Sequence, residues 1–310
     1  MKSLIVVKDL VKKYGKLTAV DGISFNVEKG EIFGLLGENG AGKTTTLEIL
    51  EGIRKQTSGK AEVLGHDVRH NPRKIKDRIG VQLQSSAYFA TLNLKEILSL
   101  FGSFYEKNAD TDELLKMVEL EDKAKSFVGN LSGGQKQRFS IIASLVNDPE
   151  IVFLDEPTTG LDPLARRNLW EIVKMIKKQG KTVILTTHYM EEAEVLCDRV
   201  AIMDQGKILM MGETPELVEN VEVPFRIKFT IKKLSDGERA RLLKFGEISQ
   251  NERVNTYVSK FKCKEDLISG LKEIEKLNPD SFTVEKATLE DLFIQLTGKK
   301  IEEEEDGDTH

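Results

Sequence analysis

The stretch GEIFGLLGENGAGKTTTLEILEG, residues 30–52, is the part of the sequence that determines the predicted fold. It predicts a strand at 31–36, a glycine-rich turn and a helix that begins at Lys43. Residues 37–44, GENGAGKT, fit the phosphate-loop pattern G-x-x-x-x-G-K-[ST] in the strand–loop–helix context that the pattern requires. The sequence therefore predicts a site for a nucleoside triphosphate.

The residue types of this loop suit phosphate chemistry. Gly37, Gly40 and Gly42 lack a Cβ, so the backbone can turn tightly and direct several N–H groups at one anion. The helix dipole adds about half an elementary charge beneath the same phosphates. Lys43 can reach the β- and γ-phosphates as a compact cation, and the hydroxyl of Thr44 can bind Mg²⁺.

Length and composition limit the classes of protein that the chain could be. Its 310 residues are enough for two domains, and 39% hydrophobic with 31% charged residues is typical of a soluble globular protein. No apolar run approaches the roughly 20 residues that cross a bilayer, and the N-terminus lacks the layout of a signal peptide. We therefore expect a cytoplasmic protein unless another chain brings it to a membrane. The net charge of −5 argues against a nucleic-acid partner.

The two cysteines and the acidic tail predict no chemistry of their own. Cys197 and Cys263 lie in different segments, without the spacing of a metal site or of a disulfide framework. Residues 302–306 are a run of like charges, which is typical of a solvated segment.

A second glycine-rich segment, LSGGQ at residues 131–135, precedes a predicted helix at 136–147. Ser132 can cap that helix, and Gly133 and Gly134 would let a phosphate approach closely. One copy of the chain needs only one such site for each triphosphate. The surplus indicates that the second site belongs to a nucleotide held by another copy.

Two acids follow the apolar run IVFL at 151–154, which predicts a strand buried on both faces. Asp155 and Glu156 would then lie at the carboxyl end of the sheet, where ligands of α/β folds bind. Asp155 is placed to hold Mg²⁺ opposite Thr44, and Glu156 to polarise a water that attacks the γ-phosphate. Two adjacent acids can also be a plain turn, but their position before Pro157 and behind a buried strand favours catalysis.

Three single residues have both a structural and a functional interpretation. His188 follows a predicted strand at 182–186; a lone histidine is usually structural, but here a neutral imidazole could sense the γ-phosphate. Tyr14 could stack on an adenine ring or simply cap a sheet edge. Gln84 lies in a polar break after a predicted strand at 78–83.

Apolar spacing predicts the remaining elements of this part of the chain. Residues 4–29 alternate as two or three strands, with turns near 13–15 and 21–22. Helical spacing covers 94–106 and 111–120. A further amphipathic helix is predicted at 164–179, where Trp170 is interpreted as a packing residue.

Over roughly residues 3–220 the chain resembles the nucleotide-binding subunit of an ATP-binding-cassette (ABC) transporter, because six motifs of that family occur in the family's order. They are Tyr14 (adenine-stacking loop), GENGAGKTT at 37–45 (Walker A, adding Asn39, Ala41 and Thr45 to the loop), Gln84 (Q-loop), LSGGQ at 131–135 (Ser132, Gly133, Gly134 and Gln135), FLDEPTTGLD at 153–162 (Walker B and D-loop) and TTH at 186–188 (switch histidine).

The resemblance implies an α/β P-loop NTPase cassette with a mainly parallel RecA-like core, an antiparallel β subdomain and an α-helical subdomain at about 86–150. It implies a head-to-tail dimer that holds two ATP molecules, each between Walker A of one subunit and residues 132–135 of the other. Gln84 would contact Mg²⁺ and the attacking water, and Asp162 would lie across the dimer interface.

The same resemblance implies the kind of transporter. Residues 162–208 look like ATPase subunits of bacterial and archaeal exporters of drugs, antibiotics, lipids or polysaccharides. Residues 126–130 lack the sequence found in exporters fused to their membrane domain, so we expect a separate polytopic permease. Asn93 replaces a threonine that is common in the family. The partner cassette would be a second copy or a related chain, on the cytoplasmic face of the membrane.

Residues 221–300 carry a different pattern, which predicts a small α+β domain with a ferredoxin-like arrangement. Strands are expected at 224–231, within 248–261 and at 282–285, with helices at 236–245, at 264–276 and after Thr288. The ending ATLEDLFIQLTG resembles the C-terminal extension of drug-exporter ATPases. The domain could dimerise, regulate or contact the permease, or it could only stabilise the ATPase domain.

The alternative function is a soluble ABC ATPase that acts on ribosomes or nucleic acid. Such proteins usually carry two cassettes, long coiled coils or zinc motifs. This sequence has one LSGGQ, no sustained heptad, no cysteine cluster and an acidic balance, which favours the transporter.

Overall fold

The computed structural model describes residues 3–82, 88–251 and 255–298, which fall into two units, Met1–Glu213 and Thr214–His310. The first unit contains ten strands and seven α-helices among the described residues. In chain order, they are β1 (Ser3–Tyr14), β2 (Leu17–Glu28), β3 (Ile32–Leu36), α1 (Lys43–Leu50), β4 (Ser58–Val63), β5 (His66–Asp67), α2 (Pro72–Lys76), β6 (Ile79–Gln82), α3 (Leu94–Gly102), α4 (Thr111–Met117), α5 (Gly133–Ala143), β7 (Ile151–Asp155), α6 (Pro163–Lys178), β8 (Thr182–Thr187), α7 (Met190–Leu196), β9 (Arg199–Asp204) and β10 (Lys207–Glu213).

A six-stranded sheet with the order β10-β9-β3-β8-β7-β6 positions the predicted site. Its strands are parallel except β10, which pairs antiparallel with β9. Every residue of β3, β7 and β8 is buried, as expected for apolar strands covered on both faces. Since parallel strands end at the same edge, the segments that follow β3, β7 and β8 meet there. This α/β arrangement confirms the predicted fold class.

A second, antiparallel sheet has the order β2-β1-β4-β5. The prediction of two or three strands in 4–29 is confirmed as two long strands, but the expected turn at 21–22 is wrong. Leu10 pairs with Ile23 and Val11 with Asp21, so the register skips Gly22, whose φ is 72°. Glycine tolerates this left-handed conformation, and β2 therefore continues through a bulge instead of turning.

Several predicted helix boundaries of the first unit are wrong. The helix predicted at 94–106 ends at Gly102, where the Ser103 hydroxyl donates to the carbonyl of Leu100 at 2.6 Å in place of a continuing turn. The helix predicted at 111–120 ends at Met117, because Glu119 adopts a left-handed φ of 57°. The helix predicted at 136–147 is α5, which begins and ends earlier. No helix in the described part of the chain is long and apolar enough to span a bilayer.

The second unit contains α8 (Thr214–Val218), β11 (Phe225–Thr230), α9 (Asp236–Leu242), β12 (Glu247–Asn251), β13 (Thr256–Phe261), α10 (Lys264–Lys276), β14 (Ser281–Lys286) and α11 (Leu289–Thr297). From β11 to β14 the element order is β-α-β-β-α-β, and the sheet order is β12-β13-β11-β14 with antiparallel neighbours. This is the split βαβ arrangement of the ferredoxin-like fold. The predicted ferredoxin-like arrangement is confirmed among the described residues, but the helix predicted at 236–245 ends at Leu242.

Candidate functional site

The phosphate loop connects β3 to α1 and depends on its glycines. Gly40 and Gly42 have φ values of 84° and 100°, a region that favours glycine. A Cβ on Gly37 would lie 2.3 Å from the carbonyl oxygen of Met203, and one on Gly42 would lie 2.4 Å from that of Ala19. No side chain caps α1, whose N-cap is Gly42. The N–H groups of its first turn are therefore open to an anion.

Lys43, at the start of α1, is buried, with 4% of its side chain exposed. Its ammonium donates to the carbonyl oxygens of Gly37 at 2.8 Å and Glu38 at 3.1 Å, and Nζ lies 3.2 Å from Oε1 of Glu156. The positive charge is thus fixed between the loop and the carboxyl end of β7. This is the place that the sequence predicted for a phosphate-binding cation.

Asp155 and Thr44 meet across the same edge. The Thr44 hydroxyl donates to Oδ1 of Asp155 at 3.1 Å, and the Thr186 hydroxyl donates to the same oxygen at 2.5 Å. The carboxylate is buried, and this burial raises the pKa of Asp155, against the lowering effect of the two hydroxyl donors. A hydroxyl and a carboxylate oxygen are hard ligands of the kind that Mg²⁺ prefers. The donor set therefore fits the predicted metal.

Glu156 lies at a strained turn between two cationic or potentially cationic groups. Its φ of 47° is uncommon for a residue with a side chain, and its N–H donates to the Thr186 hydroxyl at 2.9 Å. Besides the contact with Lys43, Oε2 lies 3.3 Å from Nδ1 of His188 and accepts a hydrogen bond from Thr159 at 3.2 Å. The turn aims the carboxylate out of the strand and toward the loop.

These neighbours decide the protonation of Glu156. The imidazole of His188 is the largest influence, and together with the charge of Lys43 it outweighs the effect of burial and lowers the pKa of Glu156 to about 2. The carboxylate is consequently ionised throughout the neutral range. An ionised carboxylate can orient a water and accept a proton from it.

The second glycine-rich segment forms a differently built helix start. Ser132 caps α5: the N–H of Gln135 donates to its hydroxyl at 3.3 Å, and the Ser132 N–H donates to Oε1 of Gln135 at 3.0 Å. A Cβ on Gly134 would lie 3.3 Å from that of Ala165 in α6. The N-cap of α6 is Asp162, which accepts the Ala165 N–H at 2.9 Å. Here the side chains of Ser132 and Asp162 accept N–H groups from the first turns of their own helices.

Of the remaining predicted residues, the structure describes Tyr14 but not Gln84. Tyr14 ends β1 and is 38% exposed; Nζ of Lys12 lies 4.8 Å and Cζ of Arg54 lies 5.7 Å from the centroid of its ring. An exposed ring face with cationic neighbours is open to either of the two interpretations, stacking or capping. Gln84, predicted both to contact the water and to bind Mg²⁺, lies outside the described residues.

Two further residues with unusual surroundings, one at this edge and one at the far end of α1, are not among those predicted from the sequence. Thr186 holds both Asp155 and Glu156, and its position two residues before His188 was a usable signal. Glu51, at the end of α1, is 2% exposed, and burial raises its pKa to about 8. Its Oε2 has no hydrogen-bond partner among the described residues.

Comparisons with known proteins agree with this geometry. The family model described as "ABC transporter" matches residues 20–159. The chain is 36% identical over 307 residues to the Nod factor export ATP-binding protein I of Burkholderia lata, covering 96% of this chain and 97% of that protein. It is 34% identical over 314 residues to the linearmycin resistance ATP-binding protein LnrL of Bacillus subtilis, covering 96% and 99%.

Solved structures give the same result over about two thirds of the chain. An ATP-binding subunit of an ABC transporter matches with a TM-score of 0.63 and 29% identity, covering 69% of this chain and 92% of that one. A dimeric post-hydrolysis ATP-binding cassette bound to ADP and Pi matches with a TM-score of 0.61 and 27% identity, covering 67% and 98%. The chain therefore belongs to the ATP-binding subunits of exporter-type ABC transporters, and it is an ATPase.

Proposed function

We propose that this subunit drives a separate polytopic permease by hydrolysing ATP between two cassettes, and that the complex exports a drug, antibiotic, lipid or polysaccharide. The names of the two relatives, one for Nod factor export and one for linearmycin resistance, support export of this kind over action on ribosomes or nucleic acid. Residues 1–220 would form the ATPase domain, with a helical subdomain at about 86–150, and 221–300 an accessory domain before the tail at 301–310. The subunit would lie in the cytoplasm, on the inner face of the membrane.

The observation that carries this proposal is the contact of Glu156 with both Lys43 and His188. A triphosphate on the loop would compete with the Glu156 carboxylate for the Lys43 ammonium, because both are anions. Glu156 would then be released from one partner at the moment when the γ-phosphate arrives. In this role Glu156 is the general base for the attacking water, and His188 orients it.

The metal would be held by Thr44 and Asp155, with Gln84 as a further ligand. When bound, Mg²⁺ neutralises charge on the β- and γ-phosphates. Thr186 fixes the orientation of the Asp155 carboxylate, and Asn39, Ala41 and Thr45 complete the loop around the phosphates. Tyr14 would stack on the adenine ring.

The partner of each ATP site would be a second cassette in head-to-tail orientation, either a second copy or a related chain. Ser132, Gly133, Gly134 and Gln135 of that cassette would contact the γ-phosphate, and Asp162 would lie across the interface. The dimeric cassette among the structural matches supports two cassettes per complex.

Replacement of Glu156 by glutamine tests the assignment. Glutamine keeps the shape but cannot accept the proton, so we expect hydrolysis to fall by about 10²- to 10⁴-fold. ATP affinity should persist, and ATP-bound dimer should accumulate in size-exclusion chromatography with Mg-ATP. Glu191→Gln, an exposed glutamate in α7, is the matched control and should hydrolyse ATP at the wild-type rate. Wild-type turnover by Glu156→Gln would exclude Glu156 as the base.

A further inference from the structure

Helix α6 contacts the segment that follows His188 through two residues of one face. Arg166 and Trp170 are four residues apart in α6, so their side chains are neighbours on its surface. The guanidinium carbon Cζ of Arg166 lies 4.2 Å from the centroid of the Tyr189 ring. One turn further along α6, Nε1 of Trp170 donates a hydrogen bond to Oε1 of Glu192 at 3.1 Å. The two contacts therefore hold the first residues of α7 against α6.

The short helix α7 depends on tertiary contacts for its position. It is seven residues long, and a helix of that length is not stable in isolation. Its N-cap is Tyr189, whose side chain makes no capping hydrogen bond. The Tyr189 N–H donates to the Thr187 hydroxyl at 2.9 Å, which closes a tight turn around His188. The position of this turn consequently follows the packing of α7 against α6.

Glu192, in the first turn of α7, is a fully buried acid with 0% exposure. A carboxyl removed from water is costly unless it is hydrogen-bonded. Its Oε2 has no hydrogen-bond partner among the described residues, so the indole N–H on Oε1 is the contact that holds the group. Burial raises the pKa of Glu192, and the nearby hydroxyls of Thr187 and Thr158 and the indole oppose this rise. The carboxyl thus lies beside the two segments that carry the proposed base and its histidine.

These contacts reach the proposed base through His188. The centroid of its ring lies 4.1 Å from that of Tyr189, and its Nδ1 lies 3.3 Å from Oε2 of Glu156. A displacement of about 1 Å at a reacting group can lower a rate by about 10²-fold. The turn that α6 holds is therefore the one on which the orientation of Glu156 depends.

We propose that Arg166 and Trp170 are positioning residues for ATP hydrolysis, and that they act by holding His188 in place. Their effect passes through the start of α7 and then through the imidazole to the carboxylate of the base. This inference rests on the proposed function, because it requires that His188 orients Glu156. The phosphate loop holds Lys43 through its own carbonyl oxygens, so ATP affinity should not depend on the two residues of α6.

Replacement of Trp170 by phenylalanine tests the hydrogen bond. Phenylalanine keeps most of the apolar packing but has no N–H, so the Glu192 carboxyl loses its donor. We expect kcat for ATP hydrolysis by the full-length chain to fall about tenfold, with the dissociation constant for Mg-ATP unchanged. Glu192→Leu should lower kcat to the same degree. Glu192→Gln, which keeps an oxygen that can accept the indole N–H, should recover most of that loss.

Ile176→Ala is the control for lost stability, because it removes a fully buried side chain from the same helix. It should lower the midpoint of thermal unfolding at least as far as Trp170→Phe does, while kcat measured well below that midpoint stays at the wild-type value. A fall in kcat for Ile176→Ala equal to that for Trp170→Phe would overturn the proposal.

A double-mutant cycle with His188 separates positioning from general stabilisation. In His188→Ala the side chain to be positioned is absent, so adding Trp170→Phe should change the single-turnover rate by less than about twofold. A residue that only stabilises the fold would lower the rate by the same factor in both backgrounds. Equal factors in the two backgrounds, or wild-type kcat for Trp170→Phe alone, would contradict the positioning role.

The stacked guanidinium gives a second test that needs no change at the buried acid. Arg166→Met keeps an apolar side chain but removes the cation over the Tyr189 ring, and kcat should fall about threefold. Arg167→Met is the matched control, since Arg167 is the next residue and is exposed; its kcat should stay at the wild-type value. Equal kcat values for the two variants would reject the part assigned to Arg166.

These outcomes are distinguishable from those at the base. A large loss of hydrolysis in Glu156→Gln together with wild-type kcat in Trp170→Phe would reject the positioning role and leave the base assigned. Wild-type turnover by Glu156→Gln would reject the base and, with it, the inference about α6. A low kcat in both variants, with the Trp170→Phe effect lost in the His188→Ala background, is the result that we expect.

Discussion

Two helix starts in this molecule are rich in glycine, and they are built in opposite ways. The first residue of α1, Lys43, is buried, and its N-cap Gly42 supplies no side chain. The N-cap of α5, Ser132, is exposed and forms a reciprocal capping box with Gln135. A helix leaves four N–H groups without an internal partner, so α1 leaves them to a ligand, whereas α5 satisfies some of them itself.

The difference indicates which part of the site acts alone. At α1, one chain brings together the open N–H groups, the Lys43 ammonium, the proposed magnesium ligands and the proposed base through a set of short contacts. At α5, a phosphate has to compete with side chains that already cap the helix. We infer that α1 determines ATP affinity, and that α5 contributes only when a second cassette presents it.

The largest effect should come from removing the cation at α1. Lys43→Ala deletes charge-assisted contacts to phosphate that are worth roughly 1.5–3 kcal/mol each, so the dissociation constant for Mg-ATP should rise at least about tenfold in a binding titration. Lys136→Ala removes the exposed lysine in the first turn of α5 and is the matched control. If both variants bind Mg-ATP equally well, the inference that α1 alone determines ATP affinity is wrong.

The second-largest expected effect concerns Glu51, which is buried at the C-terminal end of α1. The pKa of Glu51 is about 8 in the folded protein against 4.5 for an exposed glutamate, so the native state holds the proton longer than the unfolded state. The free energy of unfolding should thus fall as pH rises from 4.5 to about 8, by at most about 1.4 kcal/mol per pH unit.

Glu51→Gln should remove this dependence and stabilise the protein increasingly over that range, as measured by urea unfolding at several pH values. Glu119→Gln is the control, because that carboxylate is 87% exposed and lies 3.5 Å from Arg138 in α5. A pH slope that is the same in wild type and Glu51→Gln would show that Glu51 is ionised in the folded protein.

The sequence predicted best the features that local pattern controls. The strand–loop–helix unit at α1, the buried strand before Asp155 and the ferredoxin-like order of the second unit follow from spacing of apolar residues and glycines over short segments. The site residues from β3, β7 and β8 could be expected at one edge because parallel strands end together. The sheet topology therefore predicted which of these residues lie near one another.

Pattern could not supply contacts that depend on exact packing. Thr186 hydrogen-bonds both acids because β8 lies beside β7 in a particular register. Glu51 is 2% exposed although its side chain is a carboxyl. After α3 the N–H groups of Phe104 and Tyr105 donate to carbonyls three residues earlier, and the bulge at Gly22 depends on pairing with β1. In each case except the end of α3, tertiary contacts override the local preference for helix or strand, and a single sequence does not show those contacts.

The smallest effect, and the sharpest test of the comparison, concerns the cap of α5. Ser132→Ala should cost about 1 kcal/mol of stability through loss of the N-cap, and it should also weaken hydrolysis and the ATP-bound dimer while leaving ATP affinity of the single chain unchanged. Ser235 caps α9 with the same kind of box, formed with Glu238, in the other unit. Ser235→Ala should therefore reproduce the loss in thermal unfolding without the loss in hydrolysis. If both variants hydrolyse ATP equally, the cap of α5 is structural only, and the second helix start has no role in the partner's ATP site.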